Sequence, residues 1–344
     1  MKYNIFLKKD DALKEEITSL WENLSSKISD DRYNWLYGDN PDGNTFTCLA
    51  ELEDIKKIVG SASVYSRKCW VSGKLINTGV ACDFVTEKEH RVFGPAMNLQ
   101  KGIVAEYKNH KMNFVLAYPS MSSKAVFQRT GYKPLGNVIS WTKYLNFESV
   151  LIKVLKFKSI SIVMGFFINV FSNMIDDLRL FFKARYNVGL ITSFNQEFDD
   201  LWQRCKSQYK ITFERSSAYL NWRYGKHPSE QYKVVVFNPK NDKKLAGYVI
   251  YKSTNNTALI FDFIYDKSRI NAHTLLLLFC KEMRKQKQNN VYLTFFGEPD
   301  LKKELSRVGF FERKQKRMCY ILTNGTQEYT QPENWFLFEG DMDI

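Results

Sequence analysis

The residues with the most specific chemical potential lie at Arg91-Val92-Phe93-Gly94-Pro95-Ala96. They follow a strand-like run ending near Thr86 and open an amphipathic helix over about 95–109. A helix start leaves backbone N–H groups without intrahelical partners, and the helix dipole adds partial positive charge there. Gly94 lets the backbone approach an anion with no side chain in the way, and Pro95 suits the first helical position. Arg91 adds a fork of donors. Together these make the chemistry of a diphosphate cradle. Taken alone, an R-x-x-G-x-A is equally an ordinary strand–helix turn. Its place after a fourth strand is what gives it weight.

Asp83, Glu87, Glu89 and His90 lie on or just after the same strand, and any of them could take a proton. Asp83 is the first choice for a base, because a lone carboxylate in Val80-Ala-Cys-Asp-Phe-Val should have its basicity changed by its surroundings. Asp262 occupies a matching place later in the chain, so a fold-holding role is open to both. Glu87 and Glu89 also read as solvated loop charges. Backbone N–H groups near Phe84 and Val85 could face an oxyanion. Upstream, Trp35 and Tyr37 offer faces for a sugar ring, and Asp39 and Asn40 offer polar groups for hydroxyls or an amine.

The elements that must position these residues occur twice. Asn34-Trp-Leu-Tyr-Gly-Asp-Asn-Pro41 returns as Asn221-Trp-Arg-Tyr-Gly-Lys-His-Pro228, and Gly60 returns as Gly247 at the same offset of 187. Asp83-Phe-Val matches Asp262-Phe-Ile, and Arg129-Thr-Gly-Tyr matches Arg307-Val-Gly-Phe. Four anchors in one order mark a duplicated unit. The repetition of Trp35 and Tyr37 favours packing for both, whereas Asp39 and Asn40 become Lys226 and His227 and so are the better binding candidates.

Each unit reads as a helix (11–25; Phe198 to Cys205), then strands (45–51, 57–65, 69–76 and 78–86; 232–238, 244–252 and 258–265). An amphipathic helix, a strand (112–118; 291–296), a short helix (121–130; 299–308) and a last strand pair (132–144; 310–322) complete it. The expected architecture is α/β, with a mixed sheet and helices on both faces. The expected organisation is a unit over 1–146, a helical linker over 147–190, and a second unit with a tail over 191–344. Anchored on Asp262, the second unit places Ile270, His273 and Leu275 where Arg91, Gly94 and Ala96 stand, so its cradle is lost. Asp341 and Asp343 in the tail could close over an acceptor or fray.

Residues 159–175 carry no charge and are flanked by Lys153, Lys156, Lys158, Arg179, Lys183 and Arg185. The run is short of the roughly 20 residues that span a bilayer. It reads as a helix packed between the units, with an interfacial membrane helix and a true span as the alternatives.

A formal charge of +13 favours anionic partners, but no zinc-finger, leucine-zipper or RNP pattern accompanies it, so nucleic acid is not expected. The six cysteines (48, 69, 82, 205, 280 and 319) include no C-x-x-C pair, and the four histidines have no metal-ligand spacing. Free thiols and an N-terminus without a long apolar run point to a cytoplasmic protein without a metal.

Arg91-x-x-Gly94-x-Ala96 resembles the acetyl-CoA pyrophosphate loop of the GNAT N-acetyltransferase superfamily, and Phe127-Gln-Arg-Thr-Gly131-Tyr132 resembles its closing helix and turn. Arg32 to Pro41 and Trp335 to Asp343 look like segments of GNATs from surface-polysaccharide gene clusters. The resemblance implies two tandem GNAT-like domains and an acetyl-CoA site in the first, formed by Phe84, Val85, Arg91, Val92, Phe93, Gly94, Pro95, Ala96 and Ser120. It implies an acceptor site with Arg32, Trp35, Tyr37, Asp39 and Asn40, for a sugar or other small acceptor, including nucleotide- or lipid-linked amino sugars. Two positions depart from the family pattern. Phe127 stands where many GNATs carry a tyrosine general acid, and Ser120 replaces an asparagine. Tyr132 and Tyr118 are the candidate stand-ins, so the catalytic set is Asp83, Glu87 and Tyr132. A Fem-like aminoacyl-tRNA transferase and a catalytically inactive binding protein are the alternative readings.

Overall fold

The computed structural model describes residues 2–8, 14–24, 30–91, 94–155, 157–181, 185–242 and 244–342. The first half contains β1 (Tyr3–Leu7), α1 (Lys14–Leu24), α2 (Asp30–Tyr33), β2 (Phe46–Leu52), β3 (Lys57–Val71), β4 (Lys74–Thr86), α3 (Pro95–Glu106), β5 (Phe114–Ala117), α4 (Lys124–Arg129) and β6 (Lys133–Tyr144). Two helices, α5 (Glu148–Leu155) and α6 (Lys158–Phe181), form the bridge. The second half contains β7 (Tyr186–Ile191), α7 (Gln196–Cys205), β8 (Ile211–Phe213), α8 (Ser217–Leu220), β9 (Lys233–Pro239), β10 (Gly247–Thr254) and β11 (Thr257–Tyr265). It ends with α9 (Ala272–Lys285), β12 (Asn290–Gly297), α10 (Pro299–Val308), β13 (Phe311–Thr323) and β14 (Phe336–Phe338).

All the strands belong to one mixed sheet, whose main path runs β1-β2-β3-β4-β5-β13-β6-β12-β11-β10-β9-β7. The path is nearly palindromic. In each half a helix-flanked strand (β5 or β12) pairs antiparallel with the last long strand of the other half (β13 or β6), and β6 pairs with β13 at the centre. The halves therefore exchange strands. The core records the exchange, since Tyr320 and Leu322 of β13 are buried with Leu99, Ile103 and Phe127 of the first half.

The repeated Asn-Trp-x-Tyr-Gly segments each form a π-helical turn, Asn34–Gly38 and Asn221–Gly225. Trp35 and Trp222 stack with centroids 4.7 Å apart. Each indole N–H donates to the other's backbone carbonyl, at 2.8 and 2.7 Å. Such reciprocity marks a local pseudo-twofold axis.

Several elements differ from expectation. The stretch 69–76 is not a separate strand: β3 and β4 run unbroken to a two-residue turn at Ser72-Gly73, whose φ values of 44° and 90° suit a tight hairpin. The extended end of β3 pairs with β8, which ties the hairpin to the second half. Residues 132–144 and 310–322 give one long strand each, not strand pairs of their own. The edge strands β1 and β7 carry no strong alternation and were not expected.

The bridge also departs from a simple core helix. The inward stripe of α6 is small and polar: Ser161, Gly165, Asn169 and Asp176, with Leu180. A Cβ on Gly165 would lie 2.5–2.8 Å from Glu148, so glycine sets the approach of α5. Asn169 donates to Asn146 and accepts from the Phe147 N–H. Asp176 is buried between Lys143 at 2.6 Å and Arg284 at 2.5 Å. The helix packs, but through this narrow stripe, not its apolar residues.

Candidate active site

β4 and β5 run parallel but pair only at Gly79↔Val115 and Val80↔Leu116. Beyond Val80, β4 continues to Thr86 with β3 on one side and, among the described residues, no strand on the other. An open strand edge in mid-sheet offers N–H and C=O groups to an extended, amide-bearing ligand. The irregularity between Ser61 and Ser63 in the β3–β4 register lies opposite Asp83, whose φ of 46° is a strained conformation for a side-chain-bearing residue. Such a bulge twists the strand and re-aims the residues just beyond it, Phe84 and Val85.

Asp83 is held, not free. Arg32 grips its carboxylate with two hydrogen bonds, at 2.7 and 3.2 Å, and both side chains are nearly buried. Tyr37 donates to the same carboxylate at 2.9 Å and lies 2.8 Å from the Ser63 hydroxyl. Burial, and then the Asp83 charge, hold the Tyr37 phenol well above its ordinary pKa, so it remains a donor. The Ser61 hydroxyl donates to the Asp83 carbonyl and receives the Trp21 indole N–H. This network fastens the bulge. Arg32 and Tyr37 both occupy the Asp83 carboxylate, so the geometry supports a positioning role for the residue that the sequence offers as a base.

Glu87 is likewise engaged, 2.8 Å from Lys57, and His90 packs on Tyr3 with its Nδ1 at 3.0 Å from that hydroxyl. Glu89 is exposed.

The cradle opens at α3. Gly94 is the N-cap, with φ of 93°, no side chain caps the helix, and Pro95 opens its first turn. A Cβ at Gly94 would meet nothing within 4 Å. The space beside Gly94 is open among the described residues, which suits the close approach of a phosphate to the helix start. Arg91 folds back, its Nε donating to the Thr86 carbonyl at 3.2 Å, with the rest of its side chain exposed. Val92 and Phe93 lie outside the described residues. Ala96 is half-buried in the first turn. Across the cleft, exposed Ser120 bonds to Ser122 and Ser123 ahead of α4. These residues fit a CoA diphosphate and its amide arm.

Phe127 packs edge-on against Phe84 and Tyr132 and has no proton to give. Tyr132 is buried in the first half's core, and its hydroxyl has no hydrogen-bond partner among the described residues. Burial raises the Tyr118 pKa strongly, and its ring lies beneath the Arg317 guanidinium. Both tyrosines are buried.

The acceptor-side residues separate. Trp35 is buried against Trp222 and cannot stack on a ligand. Tyr37 is stacked between Tyr33 and Trp21. Asn40 is buried, donates to the Ser66 carbonyl and accepts from the Asp42 N–H. Asp39 is exposed. Asp341 neither frays nor closes a lid: it is buried at 2.6 Å from Arg215 and 3.6 Å from Arg67. Asp343 lies outside the described residues. Sequence reasoning missed the cluster in which Arg67 pairs with Asp42 and Asp341 and Arg215 with Asp262 and Asp341, because its members come from five distant segments.

In the second half, β11 and β12 also part after Ile260↔Leu293. There β14 enters the gap, pairing with Phe295–Gly297 of β12 and setting Phe336 and Phe338 against Phe263. The helix start is occupied too. Asn271 is the N-cap of α9 and accepts from the Thr274 N–H at 2.9 Å. The position equivalent to Gly94 is thus Asn271, not His273, because the second strand–helix loop is two residues shorter.

Comparison with solved structures agrees with this architecture. A conserved protein of unknown function from Enterococcus faecalis, described as a probable N-acyltransferase, superposes with a TM-score of 0.67 at 11% identity, covering 96% of this chain and 74% of that one. A GCN5-related N-acetyltransferase from Anabaena variabilis gives 0.65 at 12% identity, covering 95% and 74%. Saccharomyces cerevisiae N-myristoyltransferase with bound myristoyl-CoA gives 0.58 at 10% identity, covering 96% and 84%. The fold is therefore that of the GCN5-related N-acetyltransferases. No protein-family model and no curated protein matches the sequence.

Proposed function

We propose that the protein is an acyl-CoA-dependent acyltransferase that works from the first-half cleft. The observation that carries this reading is the open edge of β4 leading to the uncapped, glycine-led start of α3. The first-turn N–H groups and Arg91 hold the diphosphate. The β4 edge at Phe84 and Val85 pairs with the amide arm, and its N–H groups face the developing oxyanion. The Arg32–Asp83–Tyr37 network keeps the bulge in the shape this requires. Bound acyl-CoA supplies an activated thioester. Acetyl is the preferred acyl group, and the acceptor is an amine or hydroxyl of a sugar or other small molecule, with exposed Asp39 at its edge. The second half stabilises the first and binds no CoA. The protein works in the cytoplasm.

Thermal stability with acetyl-CoA, and with longer acyl-CoAs, tests this. A ligand that binds only the folded state raises its stability by mass action. The expected outcome is a rise that Gly94→Trp abolishes. No rise with any acyl-CoA would leave an inactive GNAT-like fold.

A further inference from the structure

α6 is built inside out. Its small and polar stripe faces the protein, and its large apolar side chains face outward. Thirteen large hydrophobics between Phe157 and Phe181 are exposed, including Ile160, Val163, Phe166, Phe167, Phe171 and Leu178, and only six lie elsewhere among the described residues. At about 100° per residue, the outward set from Ile162 round to Ile168 covers roughly two-thirds of the helix circumference.

That breadth selects the occupant. A helix seated against one protein surface or a second copy presents a stripe of roughly 100°. A fluid apolar phase instead follows a projecting helix around its whole outer arc. The charge pattern agrees. Lys153, Lys156, Lys158, Arg179, Lys183 and Arg185 flank the run. Between 149 and 196 the only acidic residues are Asp176 and Asp177, and both are paired, Asp177 with Lys281. Of the flanking basic residues, Lys158, Arg179 and Arg185 lie exposed at the two ends of the apolar arc among the described residues, which suits anionic lipid headgroups. The helix is also fixed along its length, by Gly165 on α5, Asn169 to Asn146, and Asp176 to Lys143 and Arg284. A helix so tied to the folded body lies along a bilayer surface and does not thread through it.

We propose that α6 docks the protein on an anionic membrane, lying in the interface with its outer arc among the acyl chains. This does not rest on the acyl-transfer reading, although it would bring the cleft to acceptors carried on lipids.

Flotation with vesicles tests it, using equal parts phosphatidylglycerol and phosphatidylcholine, and phosphatidylcholine alone. The native protein is expected to float with the anionic vesicles, less with the neutral ones, and to be released by alkaline carbonate. Phe167→Asp with Phe171→Asp should lower the bound fraction at least tenfold, while the melting curve and any acyl-CoA-induced rise stay unchanged. Equal flotation of native and variant protein, or none by the native, would overturn the proposal. So would retention through carbonate, which marks a spanning helix. A dimer in sedimentation that the same substitutions split, without flotation, would assign the face to a second copy. Because acyl-CoA binding is read separately, failure of one proposal is distinguishable from failure of the other.

Discussion

The two clefts begin from the same plan and end differently. Parallel strands part in both, β4 from β5 and β11 from β12. In the first, among the described residues, the gap stays open along β4 and the helix behind it starts with a left-handed glycine and no side-chain cap. In the second, the chain's own tail takes the gap as β14, and Asn271 satisfies the helix start. A parallel splay is thus a liability of unpaired backbone that must be met by something. One half meets it from within; in the other it stays open among the described residues. The tail that closes the second cleft also carries Asp341, which neutralises Arg67 and Arg215 where the halves meet.

The largest expected effect tests that closure. Asp341→Ala leaves two buried guanidinium groups short of a carboxylate and should cost about 3–5 kcal/mol in urea unfolding. A loss under about 1 kcal/mol would mean the tail is not what seals the second half. Next comes Gly94→Trp, which should remove the acyl-CoA-induced stabilisation, about 2.7 kcal/mol at a hundredfold excess over Kd. Asn271→Gly opens the second helix start without emptying its cleft, so it should create no second binding event in calorimetry. Asn271→Ala should cost about 1 kcal/mol of stability through the lost cap and leave acyl-CoA affinity unchanged, sharpening the contrast with Gly94.

A smaller effect concerns the axis between the halves. His227 packs on Trp35, and burial, followed by Arg223, lowers its pKa to about 4. The folded state therefore prefers the neutral ring, whereas the unfolded chain takes up a proton near pH 6.5. Its stabilising contribution is complete above that pH and is lost as pH falls towards 4. His227→Gln should flatten this part of the stability–pH curve, by about 1 kcal/mol or less given the partial exposure.

The exchange of Asp39-Asn40 for Lys226-His227 looked like a functional difference in the sequence. In the structure, Asn40 and His227 both serve local packing and turns, with His227 Nδ1 accepting from the Ser229 and Glu230 N–H groups. Of Asp39 and Asn40, Asp39 alone is exposed. Asp83 shows the opposite. Its oddity in an apolar strand was legible, but its partner Arg32, 51 residues upstream, was not, and that partner ties the carboxylate to the bulge.

The sequence by itself determined what is local: the duplicated order of elements, the Gly94-Pro95 turn that opens α3, the short helix ending at Arg129, and the apolar run of α6. Helix starts, turn glycines and hydrophobic period depend on neighbours a few residues apart, so they can be read along the chain. Tertiary structure alone decided which strands the halves exchange, that β14 fills one cleft, and that α6 turns its polar stripe inward. Each is a pairing across scores of residues, whose outcome depends on which distant backbone edge or buried charge must be satisfied. Lys143 and Arg284 draw Asp176 inward from opposite halves, and the apolar face of α6 is left outside as a result.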